Sequence, residues 1–376
     1  MPCHNLMSNT RHIMISGIGL ISPLGYSAWE TFANLLAGMT LPDRMRELPD
    51  NLHPIEIARV TGSIGISHGS STDPAVELAE RAIREACTQA QVSPEGLPVI
   101  TGASKGAVTH FHKEPLNVVL GPHGYWASEL TRRLKLGSVK NIVAACASGL
   151  YAVHQARQML LSGKAKRVLV VTAEAALLPH FIASSQRLGI LAKLTKEDYI
   201  GRPLDEKRDG FMLSQVGAAI LLEASDEPQA GQWELCDTAV ACEAYDMIRP
   251  APGMPALAHI AKQLIGKREI DLLHPHATGT RDQDPQELAV YRKHAPSADV
   301  YANKGALGHT LGSAGLVSLV LACLCAKTKR RPPMPWVNTP IEPVIKADLQ
   351  QGDYRTHAIF ATGFGGHVAG AVVGRV

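Results

Sequence analysis

The chain has 376 residues, of which 37 are Lys or Arg and 34 are Asp or Glu, so its formal net charge is +3. This weak field argues against a protein whose main partner is nucleic acid or an anionic membrane, because both require concentrated positive charge. Only 19% of the residues are charged and 45% are hydrophobic. This composition predicts a folded chain with a large buried fraction and excludes disorder as its main state.

Short β-branched runs alternate with helix-length apolar or amphipathic segments, which is typical of an α/β protein with mostly parallel strands. Strands are predicted at 12–16, 97–101, 142–144, 167–172, 218–222, 270–274, 299–302, 357–361 and 369–373. Helices are predicted at 28–37, 75–90, 128–134, 150–162, 256–265, 286–294 and 311–326. Asp73 is expected to cap the second helix, with Pro74 at its first position. A polar break at 223–232 predicts two halves, 1–225 and 226–376.

The cysteines and the apolar segments indicate the cellular location of the protein. The chain has seven cysteines, an odd number without a C-x-x-C pair, which is typical of reduced thiols in a cytosolic protein. The N-terminus shows no apolar run of signal-peptide length. The stretch 311–326 is apolar but too short to span a bilayer, so we interpret it as a buried helix and expect a cytoplasmic protein without membrane contact.

Cys146 is a candidate nucleophile because it falls between a predicted strand and a predicted apolar helix. A thiol at a helix N-terminus experiences about half a unit of positive charge, which favours the thiolate and predicts a lowered pKa. Unpaired N–H groups at the same place could hold an oxyanion. A buried cysteine in a turn of small residues is the alternative, and it is the more common situation for such a residue.

Two histidines favour the interpretation of Cys146 as a nucleophile over that of a structural cysteine. His276 ends the apolar strand DLLHPH, and His309 lies in NKGALGHTLGSAG just before the long apolar helix. A helix dipole disfavours imidazolium at a helix start, so a neutral N–H is available to donate to a substrate carbonyl. Both histidines would converge with Cys146 if the two halves pack with their strand ends on one side.

Other motifs point to other chemistry and are weaker. The nucleophile-elbow pattern G-x-S-x-G occurs at 65–69 and at 102–106, and the second follows a strand and is the better hydrolase candidate. The chain has no H-E-x-x-H, cysteine quartet, Walker A or complete G-x-G-x-x-G pattern. The sequence therefore predicts neither a metal site nor nucleotide binding.

Taken together, the motifs resemble the β-ketoacyl synthase family of condensing enzymes. The matching segments are ISGIGLISPLG at 15–25, AACASG around Cys146, VVTAEAA at 170–176, RPLDEKRDGFML at 202–213, AYDM at 244–247, HATGTRDQDPQE at 276–287, NKGALGHTLGSAG at 303–315 and GFGG at 363–366. The resemblance implies an α/β thiolase-like fold, in which two similar βαβαβαββ halves pack as five layers, αβαβα. Cys146 belongs to the first half and both histidines to the second.

The resemblance also implies a β-ketoacyl synthase reaction, a decarboxylative Claisen condensation of an acyl-enzyme thioester with malonyl-acyl carrier protein. The pathway would be of fatty-acid or polyketide type, a specialised polyene pathway included. Cys146 would carry the acyl group, His276 and His309 would stabilise the enolate, and Lys304 would organise the histidines with Glu287 as carboxylate partner and Asp284 nearby. The implied substrate-binding residues are Thr278 and Thr280 on the pantetheine arm, with Thr362, Phe364 and Gly365 at the entrance.

Several positions depart from the family pattern. They are Ala277 after the first histidine, Ile248 after AYDM, residues 214–218 in place of an acidic glycine-rich loop, Thr362 before GFGG, and His367 and Val368 after it. The excursion from 106 to 146 is also short. These changes concern the substrate range and carrier recognition, and they favour a specialised pathway over housekeeping elongation.

The implied partners are an acyl carrier protein and a second ketosynthase-like subunit, identical or related. The resemblance implies no cofactor other than the phosphopantetheine of the carrier protein. An acidic carrier is expected to meet basic residues at the tunnel entrance, either Arg132, Arg133 and Lys135 or Arg202, Lys207 and Arg208. Two alternatives stay open: a non-elongating partner subunit of the chain-length-factor type, and a thiolase-type enzyme, which the lack of a second cysteine near GFGG disfavours.

Overall fold

The computed structural model describes residues 11–41, 53, 63–64, 72–113, 120–193, 201–228, 231–266 and 268–376. The helices are α1 (Ala28–Leu36), α2 (Pro74–Gln89), α3 (Val108–Lys113), α4 (Gly121–Leu134), α5 (Ser148–Leu161), α6 (Pro179–Arg187), α7 (Pro255–Ile265), α8 (Gln283–Arg292), α9 (Lys304–Leu307) and α10 (Ala314–Thr328). The strands are β1 (His12–Ile21), β2 (Val99–Gly102), β3 (Val139–Ile142), β4 (Arg167–Glu174), β5 (Val216–Ser225), β6 (Trp233–Cys242), β7 (Leu272–His274), β8 (Asp299–Val300), β9 (Arg330–Arg331), β10 (Gln350–Gln351), β11 (Thr356–Gly363) and β12 (His367–Arg375).

Ten of these strands form one sheet in the order β3-β2-β4-β5-β1-β6-β12-β11-β7-β8. The sheet consists of two groups of five strands, β1 to β5 in one group and β6, β7, β8, β11 and β12 in the other. When the strands are numbered by chain order within their own group, both groups have the same spatial order from the sheet edge to the centre: third, second, fourth, fifth, first. In both groups the three outer strands are parallel and the last two are antiparallel to their neighbours. The groups meet where Met14 and Ile15 of β1 pair with Glu234 and Trp233 of β6.

Helices cover both faces of each five-stranded group and complete the five layers. The outer helices are α2 and α4 on one side and α7 and α8 on the other. The central layer is α5 and α10, which contact each other and strands of both groups. A side chain at Gly315 of α10 would lie 2.4 Å from Cγ of Leu150 in α5, so this close approach requires glycine. The structure is thus the predicted α/β thiolase-like fold.

The apolar central helix explains the longest uncharged stretch of the sequence. Leu311–Thr328 is long and apolar enough to cross a membrane by length and composition alone, but 83% of it is buried inside the fold. Every residue of α10 from Ala314 to Ala326 is buried. A helix that is apolar all round is expected at the centre of a large domain, and the interpretation as a core helix is confirmed.

Several predicted elements have different bounds, and six of the described elements were not predicted, namely α3, α6, α9, β6, β9 and β10. The strand predicted at 142–144 ends at Ile142, and the helix predicted at 128–134 begins at Gly121 because Trp126 is buried in the segment read as a loop. Strand β6 was missed because its half-buried positions carry charges. Helix α6 was missed because Ile182 is its one buried residue, so it shows no apolar stripe. The cap at Asp73 is confirmed by its bond from the Ala75 N–H at 2.8 Å.

We propose that the chain divides into the halves 1–225 and 226–376. The proposal is supported by the chain order, since β5 ends at Ser225 and the next strand, β6, begins at Trp233. Each half then contributes one βαβαβαββ series to the sheet. The division explains how reactive residues so far apart in the sequence meet between the halves.

Candidate active site

Cys146 lies in the tight turn between β3 and α5, as the sequence predicted. Ala145 adopts a positive φ of 47°, and the turn is closed by a 3.0 Å bond from the Ala147 N–H to the Ala144 carbonyl. The Ser148 hydroxyl accepts the Ala144 N–H at 2.9 Å and donates to the Ala145 carbonyl at 2.6 Å. Small side chains allow this turn, which directs the cysteine out of the helix start and into a cavity.

The structure brings Cys146, His276 and His309 together. The thiol sulfur and one nitrogen of each imidazole all lie within 4.8 Å of one another. The two imidazole rings are 5.2 Å apart at 78°, and the Phe211 ring packs edge-on against His309 at 4.7 Å. The Nδ1 atoms of both histidines are buried and have no hydrogen-bond partner among the described residues. Both imidazoles are therefore held by packing and backbone contacts.

Backbone hydrogen bonds fix each histidine. Lys304 Nζ donates to the carbonyl oxygen of His276, and the N–H of Ala277 donates to Glu287 Oε2 at 3.0 Å. A cation and a carboxylate thus hold the two ends of one peptide group. The N–H of His309 donates to the Met212 carbonyl at 2.6 Å, and its carbonyl accepts the Ser214 N–H at 3.2 Å. The imidazoles are positioned before any substrate arrives.

Glu287 was predicted to be the carboxylate partner of Lys304. No contact within 4.0 Å joins the two charged groups in the described part of the chain. They interact across the His276–Ala277 peptide instead. Burial lowers the pKa of Lys304 and raises that of Glu287, and each group's charge partly offsets the shift of the other. Asp284 accepts the N–H groups of Leu204 and Gly279, and burial raises its pKa to about 6.

The site is electrostatically arranged for neutral imidazoles and a protonated thiol. Burial, reinforced by the Lys304 ammonium, holds the pKa of both His276 and His309 well below its usual range. Burial also raises the pKa of the Cys146 thiol to about 12, with a smaller contribution from the Glu174 carboxyl. The predicted lowering by the helix dipole is therefore wrong, because loss of water around the sulfur outweighs the partial charge of the helix end. The thiol needs a proton acceptor to react.

A cavity of about 900 Å³ opens onto this cluster. Its walls come from the β2–α3 loop and α6 in the N-terminal half and from the loops around 243–250, 276–283 and 362–368 in the C-terminal half. The Thr278 and Thr280 hydroxyls face each other at 3.2 Å. Buried Thr362 accepts from Gln283 Nε2 at 2.8 Å, and the same amide donates to Glu287. Phe364, 40% exposed, lies at the cavity surface.

Two N–H groups stand free beside the sulfur. Neither the Cys146 N–H nor the Phe364 N–H donates a hydrogen bond within the described residues. The end of β11 is close to the cysteine, since a side chain at Gly363 would lie 2.9 Å from the Cys146 nitrogen. Two unpaired donors near a nucleophile are the elements of an oxyanion hole.

Glu174 is a site residue that the sequence reasoning missed. It is fully buried at the end of β4, where its Oε1 accepts the N–H groups of Ser104 and of Gly312, the latter at 3.1 Å. It thereby joins the loop after β2 to the loop after His309. Burial raises its pKa to about 7. The available signal was a carboxylate at the end of an otherwise apolar strand.

The remaining motif candidates add no second centre. Ser104 of the second G-x-S-x-G pattern lines the same cavity, and its N–H is engaged by Glu174. The first pattern, at 65–69, lies outside the described residues. Cys146, His276 and His309 are the one group in the described ranges with spacing suited to a metal ion. A metal would require the thiolate, which the raised pKa of Cys146 opposes, so the absence of a metal stays a prediction.

The comparison with known families decides the classification. The model of the β-ketoacyl synthase N-terminal domain matches residues 10–227, and that of the C-terminal domain matches residues 234–338. The chain belongs to the β-ketoacyl synthase family. The 3-oxoacyl-[acyl-carrier-protein] synthase 2 of Mycobacterium leprae is 30% identical over 267 residues, 65% of this chain and 63% of that protein. The match thus spans less than two thirds of that relative's length.

Other β-ketoacyl synthases match over nearly the whole chain. The 3-oxoacyl-[acyl-carrier-protein] synthase 2 of Coxiella burnetii is 23% identical over 97% of this chain and 99% of that protein. Among solved structures, a chain of a type II PKS acyl-carrier protein complex with its ketosynthase bound to the hexaketide superposes with a TM-score of 0.81. The two chains are 20% identical, and the superposition covers 97% of this chain and 99% of that one. This likeness shows the shared fold.

Proposed function

We propose that the protein is a β-ketoacyl synthase that condenses an acyl group on Cys146 with a malonyl group on an acyl carrier protein. The observation that supports this most is the convergence of Cys146, His276 and His309, whose thiol sulfur and ring nitrogens lie within 4.8 Å of one another at the cavity between the two halves. Such a set can take up an acyl group and can stabilise an enolate by hydrogen bonds alone.

In the first step the Cys146 sulfur attacks the thioester carbonyl of the acyl donor. A neutral imidazole can accept the thiol proton, and the resulting imidazolium can pass it to the departing carrier sulfur. A sulfur–carbon bond forms on the enzyme and one breaks on the donor. The free N–H groups of Cys146 and Phe364 would hold the oxyanion of the tetrahedral intermediate. The acyl group is then stored as a thioester.

In the second step the malonyl group of the extender loses carbon dioxide, and its bonding electrons become an enolate. His276 and His309 are neutral, so each offers one N–H to the enolate oxygen. The enolate carbon then attacks the acyl-Cys146 carbonyl. A carbon–carbon bond forms, the sulfur–carbon bond breaks, and the departing Cys146 thiolate takes up one proton from solvent. Lys304 and Glu287 act as positioning residues, because they hold the His276 peptide group.

The carrier arm would enter between the loops of the C-terminal half. Thr278 and Thr280 would bind the pantetheine, and Phe364 would line its path, whereas the neighbouring Gly365 is not part of the cavity wall. Of the two basic clusters, Arg132, Arg133 and Lys135 are offset by Glu129, Glu80 and Glu95. Arg202 is buried, whereas Lys207 is exposed and Arg208 donates to the carbonyls of Thr280 and Arg281. We therefore place carrier docking at Lys207 and Arg208.

The test is mass spectrometry of the intact protein after incubation with an acyl-carrier thioester or acyl-CoA. Cys146 is expected to gain one acyl group, and Cys146→Ala to gain none, while the matched control Cys242→Ala behaves as the native protein. Cys146→Ala is expected to retain malonyl decarboxylation and His309→Ala to lose it. Absence of acylation with a competent donor would refute the proposal.

The altered loops at 214–218 and around Thr362 keep a second candidate open, a non-elongating subunit that shapes the pocket of a heterodimer. A pure homodimer that elongates its substrate alone would exclude it. The same preparation would test the proposed cytoplasmic location, because an active enzyme should appear in the soluble fraction. The substrates bring their own phosphopantetheine, and the proposed chemistry uses no further cofactor.

A further inference from the structure

Lys105 places an ammonium group in the wall of the reactive cavity. It lies in the loop between β2 and α3, is half-buried, and lines the same cavity as Cys146. Its Nζ lies 5.4 Å from the centre of the Phe181 ring, so the cation faces an aromatic ring of α6. It is close enough to Cys146 and to Glu174 to favour the charged form of both groups.

Among the described residues, this ammonium has no carboxylate partner, because no carboxylate oxygen lies within 4.0 Å of it. The buried carboxyl of Glu174 accepts the backbone N–H groups of Ser104 and Gly312 through its Oε1. The cation–π contact with Phe181 offsets only part of the lost hydration. Covering a lysine ammonium with a saturated hydrocarbon chain is unfavourable, because three N–H donors would lose water without gaining acceptors.

The α6 side of the wall around Lys105 carries both polar and apolar side chains. Ser184 and Ser185 line the cavity there together with Phe181, Leu188 and Ile190. The two serine hydroxyls donate to the carbonyls of His180 and Phe181 in the preceding turn. If the pantetheine arm occupies the loops of the C-terminal half, this N-terminal wall is left for the acyl chain.

We propose that Lys105 is a specificity-determining residue, and that the acyl group carried on Cys146 bears an oxygen function, keto or carboxylate, that accepts a hydrogen bond from its ammonium. The inference rests on the proposed function, since it concerns the acyl group of that same reaction. It predicts selection for oxygenated acyl chains over saturated chains of the same length.

The test compares single-turnover acylation of Cys146 in the full-length protein by pantetheine thioesters of matched length. The probes are octanoyl, the three oxo-octanoyl isomers with the keto group near, midway and far from the thioester, and the monothioester of suberic acid. At least one oxygenated probe is expected to react about tenfold faster than octanoyl, the scale of one charge-assisted hydrogen bond. The best keto isomer locates the contact, and the suberyl probe separates a carboxylate from a keto group.

Two variants connect the preference to the side chain. Lys105→Met, of similar length but uncharged, is expected to reduce the preference to about twofold or less, whereas Lys105→Arg is expected to keep it. A native protein that prefers octanoyl, or a Lys105→Met variant with the native ratio, would overturn the assignment while leaving condensation intact. If no probe acylates Cys146, the proposed function fails and this inference with it.

Discussion

Replacing Glu174 by glutamine is predicted to flatten the pH dependence of folding stability. Glu174 is fully buried, and its Oε1 accepts two backbone N–H groups, from Ser104 and Gly312. Burial raises its pKa from the usual 4.5 to about 7. A glutamine amide oxygen can accept the same two hydrogen bonds, so the substitution removes the titration and keeps the acceptor.

The sign follows from which state binds the proton more tightly. The folded state holds the Glu174 proton up to about pH 7, whereas the unfolded chain releases it near pH 4.5. The stability contribution is therefore complete below pH 4.5 and is lost as the pH rises through 7. One pKa unit corresponds to about 1.4 kcal/mol, so the loss is roughly 3 kcal/mol. The glutamine variant does not undergo this loss.

The assay is urea unfolding of both proteins across the range from about pH 5 to about pH 8. The difference in the free energy of unfolding, Glu174→Gln minus native, is expected to increase by about 2.5 kcal/mol from about pH 5 to about pH 8, because part of the full effect falls below about pH 5. Asp284 and Glu287 titrate in both proteins, so their contributions cancel in the difference. Glu95→Gln, at a carboxylate whose side chain is 63% exposed, is the matched control and should follow the native curve. A difference that stays constant with pH would refute the argument.

Three further predictions concern the surroundings of the site. Ala277 has a φ of 36°, which is unfavourable for a residue with a side chain, so Ala277→Gly should raise the free energy of unfolding by about 1 kcal/mol. The control Ala258→Gly, in the helix α7, should lower it by about 1 kcal/mol. Equal losses of stability in denaturant unfolding would contradict backbone strain at Ala277. Gly363→Ala should slow acylation of Cys146 by about tenfold or more, because the new methyl group would lie 2.9 Å from the cysteine nitrogen; an unchanged single-turnover rate would contradict this contact. Burial lowers the pKa of His357 to about 4, so this histidine alone should remove roughly 3 kcal/mol of stability as the pH falls from about 6.5 to about 4. The free energy of unfolding of His357→Gln should rise by that amount relative to the native protein over the same range, and a difference that stays constant with pH would contradict the argument.

The parts of the fold that the sequence predicted best are those in which local pattern and burial agree. Four of the six residues at 167–172 are β-branched, and this run lies inside β4. The run at 311–326 is uncharged throughout and lies within the central helical segment. Strand β6 and helix α6 could not be predicted in this way. Their side chains are only partly buried in the fold, so neither shows a clean period of two or of three to four residues.

The sequence predicted which residues form the site better than it predicted their pKa values. Cys146 and His276 each follow a strand, whereas His309 follows the short helix α9 and precedes α10. The pKa of Cys146 depends on how much water reaches the sulfur, which no local pattern contains. The bond from Lys304 to the His276 carbonyl depends on the left-handed backbone of Ala277. Glu174 acts through two loops that are distant in sequence, so its partners appear only in the folded chain.

The packing of α5 against α10 in the protein interior sets the distance between Cys146 and His309. Cys146 sits at the start of α5 and His309 precedes α10, while Gly315 lets the two helices touch at Leu150. A methyl group added there would move the reactive ends apart without touching any substrate. Substitutions in this core should therefore reduce the turnover rate before they prevent folding. Larger side chains introduced to stabilise the core are expected to slow the reaction first.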